Sequence, residues 1–184
     1  IIGGGLGGLF TGAILSKEGV KVTVIEKNPT VGGGLQSFRR FGETFDTGMH
    51  VIGGMQEGGN IRRICEYLGI FDKVHVMDVD ADVIDTLYFA EDKKVYKIAQ
   101  GKDGFVNALS ESFPDQKDNL RSYVDAVYSI VDELDMFYLR PSQDFIFVHS
   151  EDFMMSADGF IAKYISDSKL CSVLAYMNPL YGGR

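Results

Sequence analysis

Residues 1–15 read IIGGGLGGLFTGAIL and place five glycines between Gly3 and Gly8, with a sixth at Gly12. The spacing Gly3-x-Gly5-x-x-Gly8 is typical of a tight turn from a strand into a helix, where a diphosphate approaches the backbone and the helix packs closely on the strand. Apolar residues at roughly helical spacing follow. Because the first amides of such a helix are free, it can hold a diphosphate without a lysine. The stretch predicts a dinucleotide-binding turn.

The next segment, KVTVIE (residues 21–26), has the alternating β-branched pattern of a strand and ends on an acid. Glu26 lies 18 residues after Gly8. A carboxylate at this place accepts hydrogen bonds from a ribose diol and repels a 2′-phosphate, which disfavours NADP. Strand, glycine turn, helix and strand together form a βαβ unit, so the chain is predicted to be an α/β protein.

A second glycine loop, Gly32-Gly33-Gly34, follows the strand that ends at Glu26. It permits a second close backbone approach, so that both glycine turns could face one ligand; a mobile loop is the alternative interpretation. Residues 35–46, LQSFRRFGETFD, then predict a hairpin around Phe41-Gly42. In a nicotinamide-type Rossmann half, a crossover helix and a third parallel strand would stand here instead.

Composition divides the chain near Gly58-Gly59. Residues 1–59 hold 16 of the 22 glycines and carry no net charge, whereas the whole charge of −8 lies in residues 60–184. We therefore predict two domains, residues 1–59 and 60–184. In the second, the patterns predict strands at 74–79, 83–90 and 94–99, and helices at 60–69, 103–113, 120–138, 158–167 and 168–177.

Several function classes are disfavoured. The charge of −8 and the pI of about 4.8 argue against a nucleic-acid or anionic-membrane surface. Cys65 and Cys171 match no disulfide or metal-ligand spacing, so we predict no metal and a reduced, cytoplasmic location. No apolar run is long enough to span a membrane. Because only Ile1-Ile2 precede the glycine turn, we expect the chain to be a fragment of a longer protein.

Residues 3–38, GGGLGGLFTGAILSKEGVKVTVIEKNPTVGGGLQSF, and residues 41–54, FGETFDTGMHVIGG, resemble the phytoene desaturase, carotenoid isomerase and retinol saturase family of FAD-dependent oxidoreductases. The resemblance implies the start of a glutathione-reductase-type, Rossmann-like FAD-binding domain, followed by an α+β substrate domain. It places the FAD pyrophosphate at Gly3, Gly5 and Gly8, and the adenosine ribose at Glu26. The cofactor-binding residues it implies are Gly3, Gly5, Leu6, Gly7, Gly8, Glu26, Lys27, Gly32, Gly33, Gly34, Gly48, Met49 and His50.

The resemblance also implies an activity: redox or isomerisation chemistry on the carbon–carbon double bonds of an apolar polyene of carotenoid or retinoid type. The partner would be that small molecule, not nucleic acid, and contact with a membrane surface stays open. Residues 46–50 match the segment that passes near the flavin ring. Many relatives have an arginine after the second glycine pair, where this chain has Gly34, which has no side chain to contact a phosphate.

His50 is the candidate catalytic residue, because imidazole exchanges a proton near neutral pH; bracing the Asp46-Thr47-Gly48 turn is the alternative role. A second pattern is the abundance of Tyr, Phe and Met in residues 123–155, which either lines an apolar tunnel or belongs to the core. This set comprises Tyr123, Tyr128, Met136, Phe137, Tyr138, Phe145, Phe147, Phe153, Met154 and Met155.

Three other functions fit the same residues. A non-redox FAD enzyme, an isomerase or mutase, would share every motif. An NAD-binding dehydrogenase or nucleotide-sensing regulator would keep Gly3 to Glu26 but would have no use for the second glycine loop. A non-enzymatic fragment is the third alternative.

Overall fold

The computed structural model describes residues 1–49, 51–135, 137–141 and 149–181. It divides into two compact units, Ile1–Val76 and Met77–Arg184. The first unit contains α1 (Leu6–Lys17), β1 (Ser37–Arg40), β2 (Glu43–Asp46) and α2 (Asn60–Leu68), with short 3₁₀ turns at Gly33–Leu35 and Phe71–Lys73. The second contains β3 (Asp85–Phe89), β4 (Lys94–Ile98), α3 (Gly101–Ser110), α4 (Lys117–Asp132), α5 (Ala157–Tyr164) and α6 (Ser168–Leu174), with 3₁₀ turns at Pro114–Gln116 and Asn178–Tyr181.

The division falls after Val76, later than the composition boundary at Gly58-Gly59. Helix α2 packs on α1, where Lys17 donates a hydrogen bond to the carbonyl of Tyr67 and the Tyr67 hydroxyl donates to Glu18. These contacts keep residues 60–76 with the glycine-rich part. Assigning the two parts to cofactor and substrate remains a prediction.

The segment 21–26 runs parallel to the residues that precede the glycine turn. The Ile1 amino group donates to the Thr23 carbonyl at 2.7 Å. Ile25 N donates to Ile1 O at 2.9 Å, and Gly3 N donates to Ile25 O at 2.8 Å. Among the described residues, these two segments share one β-bridge, between Ile2 and Ile25, so the predicted strand is an extended segment rather than a full strand.

The predicted hairpin is confirmed. Strands β1 and β2 are antiparallel, pairing Ser37 with Asp46 and Arg40 with Glu43. Phe41 (φ 55°) and Gly42 (φ 84°) both have positive φ, which is typical of the two-residue turns that match strand twist.

The second unit buries the main hydrophobic core. Strands β3 and β4 form an antiparallel hairpin, and α3 packs on both β4 and α4. Helices α4, α5 and α6 complete the packing. The core residues, which come from one strand and all four helices together with the loop between α5 and α6, are Tyr96, Ile98, Val106, Leu109, Leu120, Val124, Ile161, Ile165, Leu170 and Val173.

Two sequence predictions for residues 74–138 are wrong. Residues 74–79 form no strand in the described chain, and Val74, Val76 and Met77 are exposed. An alternating pattern becomes a strand only when a neighbouring backbone pairs with it. Helix α4 ends at Asp132, and not near Tyr138, because tighter bonds from Glu133 N to Ile130 O and from Leu134 N to Val131 O close it. The apolar spacing continued into a turn.

Candidate functional site

The glycine turn leads directly into α1. Gly3 has φ 99°, a conformation that favours glycine, and Gly5 is extended and precedes the helix. The first helical hydrogen bond runs from Leu9 N to Gly5 O at 2.9 Å. The amides of Leu6, Gly7 and Gly8 therefore have no partner within the helix, and Gly5 has no side chain to cap them. Such a helix start attracts an anion.

Gly8 and Gly12 pack the helix against the rest of the unit. A Cβ at Gly8 would lie 2.0 Å from Gly3 O, a distance that no packing tolerates. A Cβ at Gly12 would lie 3.3 Å from Val24 Cγ2. A Cβ at Gly7, in contrast, would meet nothing within 4 Å. Packing thus requires glycine at position 8, leaves little room for a side chain at position 12, and does not require glycine at position 7.

Glu26 binds the glycine turn itself. Its Oε2 accepts a hydrogen bond from Gly4 N at 2.7 Å, and its Oε1 accepts one from Asn28 N at 2.9 Å. The Asn28 bond, followed by the Gly4 bond, holds the pKa of this carboxyl below its ordinary value. Each oxygen has a second lone pair, so the carboxylate can still accept hydrogen bonds from a ribose diol. The adjacent Lys27 is exposed.

The second glycine loop lies against the first. Gly32 N donates to Gly4 O at 2.7 Å. A Cβ at Gly33 would lie 3.0 Å from Gly5 Cα, and Gly33 has φ 57°, so both space and conformation favour glycine there. The structure therefore brings together the two turns that the sequence placed 24 or more residues apart.

The segment after β2 closes on the same loop. Thr47 N donates to Gln36 O at 2.9 Å and Met49 N to Gly34 O at 3.1 Å. Gly48 also contacts this loop, since a Cβ there would lie 3.4 Å from Gly34 O. A Cβ at Gly34 would meet nothing within 4 Å. Packing therefore does not explain why this chain has glycine where many relatives have arginine. His50, the candidate catalytic residue, lies outside the described residues.

Sequence reasoning missed three contributors. Gly4 and Asn28 supply the amides that hold Glu26, and Gln36 Nε2 donates to Thr30 O at 2.7 Å, which closes the second loop. The only signal for the first two was an acid at the end of a strand beside a glycine turn. Nothing in the local pattern marked Gln36.

The aromatic and methionine set of residues 123–155 is distributed over several places. Tyr123 and Tyr128 line a cavity of about 350 Å³ in the second unit. Phe153 and Met155 line another of about 260 Å³. Met154 is exposed, Phe137 and Tyr138 pack on each other, and Met136, Phe145 and Phe147 lie outside the described residues. A continuous tunnel remains a prediction.

No helix among residues 1–49, 51–135, 137–141 and 149–181 is both long and apolar enough to cross a membrane. In the same described ranges, no group of three or more His, Cys, Asp or Glu residues could hold a metal ion.

Known proteins resemble this chain at two levels. Residues 1–68 match the family model of an NAD(P)-binding Rossmann-like domain. Over 129 residues the chain is 35% identical to the all-trans-retinol 13,14-reductase of Macaca fascicularis. This alignment covers 69% of the chain and 21% of the reductase. Over 184 residues the chain is 26% identical to prolycopene isomerase 1, chloroplastic, of an Oncidium hybrid cultivar. This alignment covers 100% of the chain and 29% of the isomerase.

A third relative, the chloroplastic prolycopene isomerase of Arabidopsis thaliana, is 25% identical over 187 residues and covers 95% of this chain and 31% of that protein. The chain thus spans between about a fifth and a third of the length of these relatives. The matches confirm the α/β class, the Rossmann-like start and the resemblance predicted from the sequence. The relatives are enzymes.

Proposed function

We propose that this protein is an FAD-dependent oxidoreductase that acts on carbon–carbon double bonds of an apolar polyene. Its N-terminal part is a Rossmann-like dinucleotide-binding domain, and the chain is related to retinol reductases and prolycopene isomerases. The observation that carries the proposal is the contact between the two glycine turns, where Gly33 lies against Gly5. A dinucleotide that needs only the first turn would not use this contact.

The residues fit FAD. The open amides of Leu6 and Gly7 at the start of α1 would hold the pyrophosphate, and Glu26 would hold the adenosine ribose. The hydrogen bonds from Asn28 and Gly4 lower the Glu26 pKa and so favour the ionised form, which accepts hydrogen bonds from a diol and repels a 2′-phosphate. The backbone of Gly32–Gly34 and of Gly48–Met49 would contact the flavin end of FAD. When bound, the flavin supplies two-electron redox chemistry.

The chain's own contribution is to hold and orient these groups. The paired turns would position one ligand from two sides, and an apolar substrate site would exclude water from the polyene. His50 would donate a proton to the substrate, or else brace the turn at residues 46–48. A rate constant unchanged in His50→Ala would assign it to the second role.

The polyene substrate rests on the relatives, which are named for all-trans-retinol and for prolycopene. Their two activities also define the second candidate, a non-redox FAD isomerase. The isomerase is favoured by the share of the chain that aligns, because prolycopene isomerase 1 aligns with 100% of the chain and the retinol reductase with 69%. An oxidoreductase would pass electrons to or from an acceptor during turnover, and an isomerase would turn over without net transfer.

The cofactor is tested at Gly5. A Cβ there would lie 3.8 Å from Gly33 Cα, which is ordinary contact, and the backbone is extended, so Gly5→Ala should fold. Its methyl group would lie where the pyrophosphate approaches, and we expect FAD affinity to fall by roughly tenfold or more. Gly53→Ala, whose Cβ would meet nothing within 4 Å, is the matched control.

Calorimetry of the full-length protein with FAD and with NADH measures both affinities. The proposal predicts tight FAD binding that Gly53→Ala leaves unchanged and Gly5→Ala weakens. Preference for NADH, or an FAD affinity that Gly5→Ala does not alter, would contradict it and favour the dehydrogenase or regulator.

A further inference from the structure

Gln36 lies at the end of the second glycine loop and connects it to two other segments of the first unit. Its side-chain Nε2 donates a hydrogen bond to Thr30 O at 2.7 Å, at the opposite end of the loop. Its main-chain O accepts a hydrogen bond from Thr47 N at 2.9 Å, in the segment that follows β2. Gln36 is half-buried, although its neighbours Leu35 and Ser37 are exposed. Contacts on both sides of the loop therefore hold this residue in place.

The loop that Gln36 closes is costly to order. It contains three consecutive glycines, Gly32–Gly34, and glycine has more backbone freedom to lose than any other residue. A side-chain hydrogen bond that joins the two ends of the loop removes part of this freedom before a ligand binds. The same side chain also packs on the loop, because a Cβ at Gly32 would lie 3.0 Å from Gln36 Cγ. Gln36 therefore restricts the loop through a hydrogen bond and through packing.

The restricted loop lies between two other parts of the candidate site. Gly32 N donates to Gly4 O at 2.7 Å, which joins the loop to the first glycine turn. Met49 N donates to Gly34 O at 3.1 Å, which joins the loop to the segment after β2. A shift of the loop would therefore change its spacing from both neighbours. A residue that fixes the loop fixes these two spacings together.

We propose that Gln36 is a positioning residue that sets the geometry of the second glycine loop for the flavin end of FAD and leaves the adenosine end unaffected. This inference rests on the proposed function, because it takes FAD as the ligand of the two glycine turns. The adenosine end differs because Glu26 is held by the amides of Gly4 and Asn28, which lie outside the loop. Gln36 acts through the backbone of Gly32–Gly34 and needs no contact of its own with the cofactor.

The test compares the binding of FAD and of ADP to the purified full-length apoprotein by calorimetry. ADP contains the adenosine and diphosphate parts of FAD but lacks the flavin. Gln36→Met keeps the length of the side chain but removes the group that donates to Thr30 O. We expect this variant to bind FAD roughly fivefold more weakly, the factor of one neutral hydrogen bond, and to bind ADP as the wild type does.

Gln36→Glu tests the hydrogen-bond donor through a pH profile. The two side chains have the same shape, but an ionised carboxylate cannot donate to Thr30 O, whereas a protonated carboxyl group can. The ratio of wild-type to Gln36→Glu affinity for FAD should therefore be large at neutral pH and should decrease as the pH falls toward the carboxyl pKa. The same ratio for ADP should stay near one at every pH. This variant keeps the test informative if Gln36→Met does not fold.

Gln56→Met is the matched control. Gln56 also lies in the first unit and is exposed. Its main-chain O accepts a hydrogen bond from Gly59 N at 2.9 Å, which the substitution retains. This variant should leave the affinities for FAD and for ADP unchanged.

Weaker FAD binding in Gln36→Met but not in Gln56→Met, with unchanged ADP binding and a pH-dependent loss in Gln36→Glu, supports this role. Equal losses for FAD and ADP, or a Gln36→Glu ratio that does not vary with pH, would overturn it. A wild-type protein that binds no FAD would overturn the proposed function as well. Wild-type FAD binding that Gln36→Met leaves unchanged would overturn the role of Gln36 alone.

Discussion

Replacing Gly8 by alanine should disrupt the first unit, although the change adds a single methyl group. The new Cβ would lie 2.0 Å from Gly3 O, 3.1 Å from Gly3 C and 3.5 Å from Ile1 Cγ2. Ordinary contact begins at 3.4 Å, so α1 and the turn would have to separate by about 1.4 Å. The obstacle is backbone, which cannot rotate away as a side chain can.

The cost follows from what holds the turn. Gly3 N donates to Ile25 O at 2.8 Å, and Gly32 N donates to Gly4 O at 2.7 Å, so moving the turn strains both bonds. Overpacking costs about 1–3 kcal/mol, and each weakened hydrogen bond costs about 1 kcal/mol. We expect Gly8→Ala to lower the free energy of unfolding of the first unit by about 3–5 kcal/mol.

Gly7→Ala is the matched control, because the residue is also in the first turn of α1 and its Cβ would meet nothing within 4 Å. It should stabilise the helix by about 0.5–1 kcal/mol through the higher helix propensity of alanine. Hydrogen exchange read by mass spectrometry resolves peptides from residues 1–76 and 77–184. Faster exchange in Gly8→Ala should be confined to peptides from residues 1–76. Equal protection in the two variants would refute the close approach of α1 to the turn.

Two further predictions concern the first unit. The amide hydrogen bonds from Asn28 and Gly4 lower the pKa of Glu26 below its ordinary value of 4.5. Above pH 4.5 these bonds therefore stabilise the fold fully, and this stabilisation is lost as the pH falls through the lowered pKa. The stability difference between wild type and Glu26→Gln, followed by urea denaturation, should therefore shrink below pH 4.5, and a constant difference down to about pH 3 would contradict the assignment. Phe41 is 87% exposed and has φ 55°, so Phe41→Asn should stabilise the hairpin by about 0.5–1 kcal/mol in the same assay, whereas Gly42→Asn should not stabilise it.

Local patterns predicted the elements whose cause is local. The glycine turn, α1 and the hairpin at Phe41-Gly42 follow from residues within a few positions of one another, since backbone freedom and side-chain spacing act at that range. Patterns failed where pairing or packing decides. Residues 74–79 alternate like a strand but pair with no other strand among the described residues. The apolar residues beyond Asp132 keep helical spacing after α4 has ended.

The sequence by itself determined which residues could form a dinucleotide site: the spacing from Gly3 to Gly8, the acid at Glu26 and the second loop at Gly32–Gly34. Only the tertiary structure decided how they meet. Glu26 accepts the Gly4 amide, Gly33 lies against Gly5, and Met49 bonds Gly34. These contacts join residues 15 to 28 positions apart. Hydrogen bonds and close approaches at such separations depend on the folded path of the chain, and a one-dimensional spacing does not contain that path.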